Sequence, residues 1–380
     1  MRTLRDALEA ALVENPDDLV THYAYADYLQ EQGDPRGEFI ALQLALEDPQ
    51  PSEAERRRSQ EKIDELLQTY RREWVGVLAD ELFGLCDDKP ELQIEERSIY
   101  DIRFVRGWLD RIARRADIFC SSDLGRLMCR APETRLLRSL ILESDEGTIA
   151  NLIHSPYLGN LRVLQIGPRI NLSEEFELVL EPETNLHKLV AKLSRLEELY
   201  LYQSGCLSAR LFTLANLTNL RVLEAPQIID RNYPILLASN PALSNLTCLW
   251  LRSCPSQQAL DLTGVRAVVQ SPHLRNLTHL HLQRSDLGDV GCTEIVTSGI
   301  LKRLRVLDLR HGEISDSGAR ILADCPDLRN LELLDVERNA LTQAGIDALR
   351  RVLGSAVRVE SQQTAEELAQ RRYMHEPEFV

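Results

Sequence analysis

One apolar spacing returns eight times along the 380 residues: Leu-x-x-Leu-x-Leu, with Ile, Ala or Val at an occasional last place. It starts at Leu137, Leu161, Leu196, Leu220, Leu246, Leu277, Leu304 and Leu331. Four copies carry a longer signature, "SPYLGNLRVLQI", "NPALSNLTCLWL", "SPHLRNLTHLHL" and "CPDLRNLELLDV", in which Pro and Asn-Leu hold fixed places. Side chains alternate along a strand, so the fourth and sixth positions point to one side and the first closes the layer beside them. A single unit of this size cannot bury its own leucines. Successive units must stack, with short strands pairing in parallel and each return segment packing outside. The spacing is irregular but clusters in the middle twenties. Towards the C-terminus the returns "SDSGARILADC" and "TQAGIDALRRVLG" have helical apolar spacing, with Ser315 or Asp316, and Thr342, as N-caps.

These residues resemble the leucine-rich-repeat family, of the ribonuclease-inhibitor type. "LDLRHGEISDSGARILA" and "LDVERNALTQAGIDALRRVL" carry its pattern best. The resemblance covers roughly residues 135 to 360 and implies an α/β solenoid, with a parallel concave sheet and a helical convex side. The chain departs from the family where an Asn normally follows each strand. Asn339 matches and Cys254 is an accepted substitute, whereas Ser204, Ile228, Ser285 and Gly312 stand elsewhere. Those turns need other groups to satisfy their backbone. Between Arg169 and Lys192 the chain is longer than its neighbours, and an acidic insertion over 172–185 is expected to loop out.

Ahead of the repeats, residues 1–48 read as a small all-α module of three short helices. Gly33 stops one helix, Asp34 caps the next and Pro35 takes its first position. "YADYLQEQGDPRGEFIALQ" is similar to the bacterial repeat-companion domain, which implies an architecture more than an activity. Asp27, Arg36 and Glu38 there tie the helices together through ion pairs and caps, or else form a partner site. Residues 49–85 follow as a linker, "DPQPSE", and a long amphipathic helix. Its stripe is Ile63, Leu66, Leu67, Tyr70, Trp74, Val77 and Leu78. Residues 86–134 are expected to cap the solenoid. There "IYDIRFVRGWLDRIARRA" resembles the RG-aromatic segment that joins such a module to its repeats. It reads as a strand and a helix, with Trp108 covering the first repeat. Residues 361–380 are a C-terminal cap and tail.

Chemistry is harder to find. The 59 acidic against 44 basic residues give a net charge of −15, which repels phosphate backbones and argues against a nucleic-acid partner. The N-terminus lacks the apolar core of a signal peptide, and no run approaches membrane-spanning length, so a cytoplasmic protein without a membrane partner is expected. The eight cysteines form no C-x-x-C pair and read as small buried hydrophobes. No nucleophile elbow, P-loop, HExxH or dinucleotide fingerprint is present, and no cofactor is expected. "HLH" at His279 and His281 looks like two metal ligands on one strand face. It sits, however, in a strand with seven sisters, and two imidazoles do not complete a metal site.

The third, fifth and seventh positions of each repeat core project from the concave sheet. Those columns bring together Tyr200, Tyr202, Glu224, Trp250, Arg252, His279, His281 and Arg310, with Asp308 beside His281 and Glu224 set to orient Arg252. Tyr, Trp and Arg are the side chains enriched at binding hot spots. The expectation is a non-catalytic, monomeric scaffold that binds a protein partner through this face. Two other readings share the sequence. One is a GTPase-activating protein supplying Arg252 or Arg310 to phosphoryl transfer. The other is a structural self-assembling module.

Overall fold

The computed structural model describes residues 3–49, 51–84, 99–115, 123–142, 146–167, 184–253, 260–364 and 367. Most of the acidic insertion, Cys86, Cys120, Cys254 and nearly all of the C-terminal tail fall outside them. Two compact units make up the chain, residues 1–164 and 165–380.

Four capped helices open the first unit. Helix α1 (Leu4–Glu14) has a capping box between Thr3 and Asp6. Asp18 caps α2 (Leu19–Glu31), and Asp34 caps α3 (Pro35–Glu47) with Pro35 at the first position. Helix α4 (Glu53–Trp74) has a second capping box, Ser52 with Glu55. The amphipathic pattern suggested that this helix continues past Val77. It ends at Trp74, because Gly76 takes a positive φ of 54° and starts a 3₁₀ turn, leaving Val77 exposed.

The segment read as a strand and a helix is instead an antiparallel hairpin, β1 (Tyr100–Val105) and β2 (Trp108–Arg114). Its turn is Arg106-Gly107, both at positive φ (47° and 79°), which matches the twist of a tight hairpin. Helix α3 clasps that turn. Gln43 accepts from the Gly107 N–H at 2.8 Å, Arg36 Nε donates to the Gly107 carbonyl at 2.8 Å, and Arg106 forks onto Glu47. A Cβ at residue 107 would lie 2.3 Å from Ile40 Cγ1, so the turn approaches α3 as closely as a glycine allows.

Trp108 goes into the helices more than onto the repeats. It stacks on Tyr25 with ring centroids 5.7 Å apart and packs with Leu12, Leu29, Ile40, Leu44 and Leu136. The guanidinium of Arg36 lies 4.9 Å and that of Arg135 5.7 Å from its ring. Strand β3 (Ser139–Leu142) pairs in parallel with β2. The first unit extends into the repeats because their leading residues reach back to α1 and the turn behind it. Arg135 binds Glu9 at 2.5 Å, Arg138 and Arg162 share Asp17, and Asn160 Nδ2 donates to the Val13 carbonyl.

His22 gives this unit a pH dependence. It is buried, and its Nε2 donates to the Pro16 carbonyl at 3.0 Å. Burial pushes its pKa below the ordinary 6.5, the bond to Pro16 opposes this, and Arg106 and Arg138 add to the depression. The unfolded chain therefore takes up the proton first, and stability falls as pH drops below about 6.5. Between about pH 7.5 and 5.5 the melting temperature of the wild type should fall more steeply than that of His22→Gln. Parallel slopes would contradict this.

In the second unit the repeat cores become the strands β5 (Glu198–Leu201), β6 (Val222–Ile228), β7 (Cys248–Ser253), β8 (His279–Gln283), β9 (Val306–Asp308) and β10 (Leu333–Asp335). β4 (Val163–Ile166) spans the boundary between the units in sequence, and β11 (Val357–Arg358) follows β10. From β5 to β11 neighbours pair in parallel, and Leu199, Leu223, Leu249, Leu280, Leu307 and Leu334 stand in one register, all buried. Helices Asn232–Ser239, Leu262–Val269, Gly288–Ser298, Asp316–Ala323 and Gln343–Leu353 form the returns. Ser315 and Thr342 are the N-caps of the last two.

Two side-chain ladders tie the repeats. The Asn of each Asn-Leu donates to a carbonyl one repeat back: Asn219 to Ser194, Asn245 to Thr218 and Asn276 to Ser244, at 2.7–2.8 Å. On the helical side, Asp289 accepts from the Ser315 N–H and hydroxyl and from the Gly318 N–H. Asp316 does the same for Thr342 and Gly345. Gly318 and Gly345 admit these carboxylates, since a Cβ there would lie 2.5 and 2.4 Å from the respective Oδ1. At one turn without asparagine, Ser285 Oγ donates instead to the Leu282 carbonyl at 3.1 Å.

Candidate functional site

Parallel pairing sets Tyr200, Glu224, Trp250, His281, Asp308 and Asp335 side by side along the fifth column, one per strand. The eight residues singled out by the repeat columns lie on or just after consecutive strands, but they are not equally presented. Tyr200, Trp250, His279, His281 and Arg310 are half-buried. Tyr202, Glu224 and Arg252 are buried, at 5, 7 and 7% exposure. Tyr202 sits low because neighbouring side chains cover it. Tyr202 stacks on Tyr200 at 6.3 Å, its hydroxyl donates to Glu224 at 2.5 Å, and Gln227 Nε2 donates to its carbonyl.

Trp250 lies in the middle of the face. Its ring centroid is 5.9 Å from that of His281, and its indole N–H is buried without an acceptor among the described residues. His281 Nδ1 sits 3.2 Å from Asp308 Oδ2, the pairing expected from the columns. Asp308 also accepts from Gln283 at 2.6 Å and from Arg310, whose Nη2 is 2.8 Å away. Burial alone would push the Asp308 carboxyl up, but the bonds from His281 and Arg310 hold it well below the usual carboxylate range. Asp335, next in the row, is pushed up by burial and then by the Asp308 charge. Arg310 reaches it at 3.5 Å and Arg358 at 3.8 Å. Burial and the neighbouring His281 keep His279 below the ordinary histidine value.

Chemically the arrangement suits recognition. Among the described residues, no three His, Cys, Asp or Glu side chains are grouped to hold a metal ion. Arg252 is buried, and Arg310 is engaged by Asp308 and Asp335. The third column, which supplied only His279 to the sequence-predicted site, is also partly open. The third positions Val222, Cys248, His279, Val306 and Leu333 pair in register and are all half-buried.

A model of the family described as "Leucine Rich repeat" matches residues 273–296 and 303–323, the stretches that contain β8, β9 and the helices following them. The chain carries leucine-rich repeats. Repeats of this family are generally protein-interaction modules and typically carry no enzymatic activity. The leucine-rich-repeat fold also aligns with the crystal structure of a Bacteroides fragilis protein, a structural-genomics target. Identity is 17%, with 68% of this chain and 76% of that one covered, at a TM-score of 0.50. No curated protein matches the chain. The matched repeats do not extend to the N-terminal helices. No helix among the described residues of this leucine-rich-repeat protein is long and apolar enough to cross a membrane.

Proposed function

We propose that this leucine-rich-repeat protein is a non-catalytic scaffold that captures a protein partner on the sheet face of β5 to β10. The observation that supports the reading most is Trp250. A large aromatic ring stays half-exposed at the centre of a row whose other members are anchored by hydrogen bonds. Tyr200 is held by Glu198 at 2.7 Å and His281 by Asp308, so a partner meets side chains already fixed in place. Fixed aromatics surrounded by satisfied polar groups are the composition of a binding hot spot, because little side-chain entropy is lost on contact. The residues assigned to contact are Tyr200, Trp250, His279, His281 and Arg310. Tyr202, Glu224 and Arg252 support them from below.

The test is quantitative affinity purification from cells expressing the wild type, Trp250→Ala or Arg320→Ala. Arg320 is exposed on the helical side and serves as the control. Trp250→Ala should weaken capture of specific partners by about 2 kcal/mol or more with little change in melting temperature, and Arg320→Ala should match the wild type. Full retention of every partner by the Trp250 variant would place binding elsewhere.

A further inference from the structure

We propose that the first unit binds a small tetrahedral oxyanion, phosphate or a phosphate monoester, among three guanidiniums gathered around Trp108. The site is separate from the sheet face and does not depend on the scaffold reading above.

Three elements supply the cations. Arg5 lies in the first turn of α1, Arg36 in the first turn of α3, and Arg135 in the 3₁₀ turn Pro132–Leu136 ahead of β3. Arg36 and Arg135 both lie against the Trp108 ring, with Cζ 4.9 and 5.7 Å from its centroid. Arg5 and Arg135 meet on Glu9: Arg5 Nε donates to Oε1 at 3.0 Å and Arg135 Nη1 to Oε2 at 2.5 Å. Tyr25, stacked on Trp108, donates its hydroxyl to the same Oε1 at 2.7 Å. Arg36 is close enough to Arg5 for the two charges to repel.

Arg36 decides what the cluster lacks. It is 7% exposed, its Nε donates to the Gly107 carbonyl, and its Nη2 is buried with no acceptor among the described residues. The two carboxylates within electrostatic range are committed elsewhere. Asp34 spends Oδ1 on the Arg36 backbone N–H as the cap of α3, and Glu9 holds Arg5 and Arg135. Three guanidiniums against these two carboxylates leave a positive excess. A buried cation without a hydrogen-bonded counter-charge is strongly disfavoured, and an unsatisfied buried donor is where a bound ion is expected.

The donors also select the anion. A guanidinium fork matches the oxygens of carboxylate and phosphate alike. Forks arriving from three separate elements suit a tetrahedral oxyanion, which offers oxygens in more than one plane. A phosphate also answers an excess of cations with more charge than a carboxylate. Solvent reaches the cluster past Arg5 and Arg135, whose side chains are 46% and 27% exposed.

The full chain is titrated calorimetrically with inorganic phosphate at about 0.05 M ionic strength. Phosphate should bind with a Kd below about 1 mM, and acetate at least about tenfold more weakly. Arg5→Gln and Arg36→Gln should each weaken phosphate about fivefold or more. Arg320→Gln removes the same charge from an exposed helix face and should leave the Kd unchanged. Because the Arg5 side chain is half exposed, its variant reports even where Arg36→Gln does not fold. Phenyl phosphate tells the two sources apart: affinity comparable to that of phosphate assigns the site to a monoester, and exclusion assigns it to the free ion. Phosphate binding weaker than about 1 mM, or acetate within about tenfold of it, would overturn the proposal. So would an Arg5→Gln variant that binds like the wild type, or an equal loss in Arg320→Gln, which would reduce the effect to net charge.

Discussion

Asn339→Ala should destabilise the second unit by about 3–5 kcal/mol, read from urea denaturation followed by circular dichroism. Asn339 is fully buried in the turn after β10. Its Oδ1 accepts from the N–H groups of Gly312 and Ile314 at 2.9 and 3.0 Å. Its Nδ2 donates to the carbonyls of Leu309 and Val336, both at 3.0 Å, and of Glu337 at 3.3 Å. Truncation strands backbone groups of two successive turns away from water, and each unsatisfied buried group costs roughly 1–3 kcal/mol. Partial relaxation and water entry keep the total below the simple sum. Asn339→Asp retains both acceptor bonds but loses the donors, and should fall between wild type and Ala. A loss under about 1 kcal/mol for Ala would mean that the turns do not depend on this side chain.

Trp108→Ala should be of similar size, about 3–5 kcal/mol, in the first unit. The indole fills the space between Tyr25 and Leu136 and carries the guanidiniums of Arg36 and Arg135 near its ring. Deleting it opens a cavity and strips Arg36, itself buried, of the aromatic surface against its charge. Trp108→Phe keeps a ring there and should recover more than half of the loss. Its indole N–H has no acceptor among the described residues, so no hydrogen bond is forfeited by that exchange. Equal losses for Phe and Ala would show that volume at this site is not what matters.

The repeat cores were legible because their physics is local. Leu280 and its counterparts are buried wherever a six-residue strand must bury one face, and the pattern states which face. The caps at Asp34, Ser315 and Thr342 were legible for the same reason, since a cap is decided within three residues. The hairpin was not. Alternation over Trp108–Arg114 is ambiguous in isolation, and it resolves as a strand through pairing with β3 and the clasp of α3 on Gly107. The candidate site shows the same division. Column positions placed Trp250, His279 and His281 correctly on the sheet, but the depth of Tyr202 and Arg252 depends on which neighbours cover them. No spacing in a single repeat encodes that.

The aspartate ladder has a direction. Asp289 completes the start of helix Asp316–Ala323, and Asp316 completes the start of helix Gln343–Leu353. At the equivalent next place the chain has Gln343, whose amide turns back to Asp347 in its own helix. Among the described residues the series thus stops at helix Gln343–Leu353. Each of these two carboxylates belongs to the earlier repeat and adds to the cap, Ser315 or Thr342, that the later helix carries itself. A chain leaving the ribosome N-terminus first always has the carboxylate in hand before the helix that requires it is made. Truncation from the C-terminal side thus leaves a spare acceptor, where truncation from the N-terminal side leaves a helix held by its own Ser315 or Thr342 cap alone.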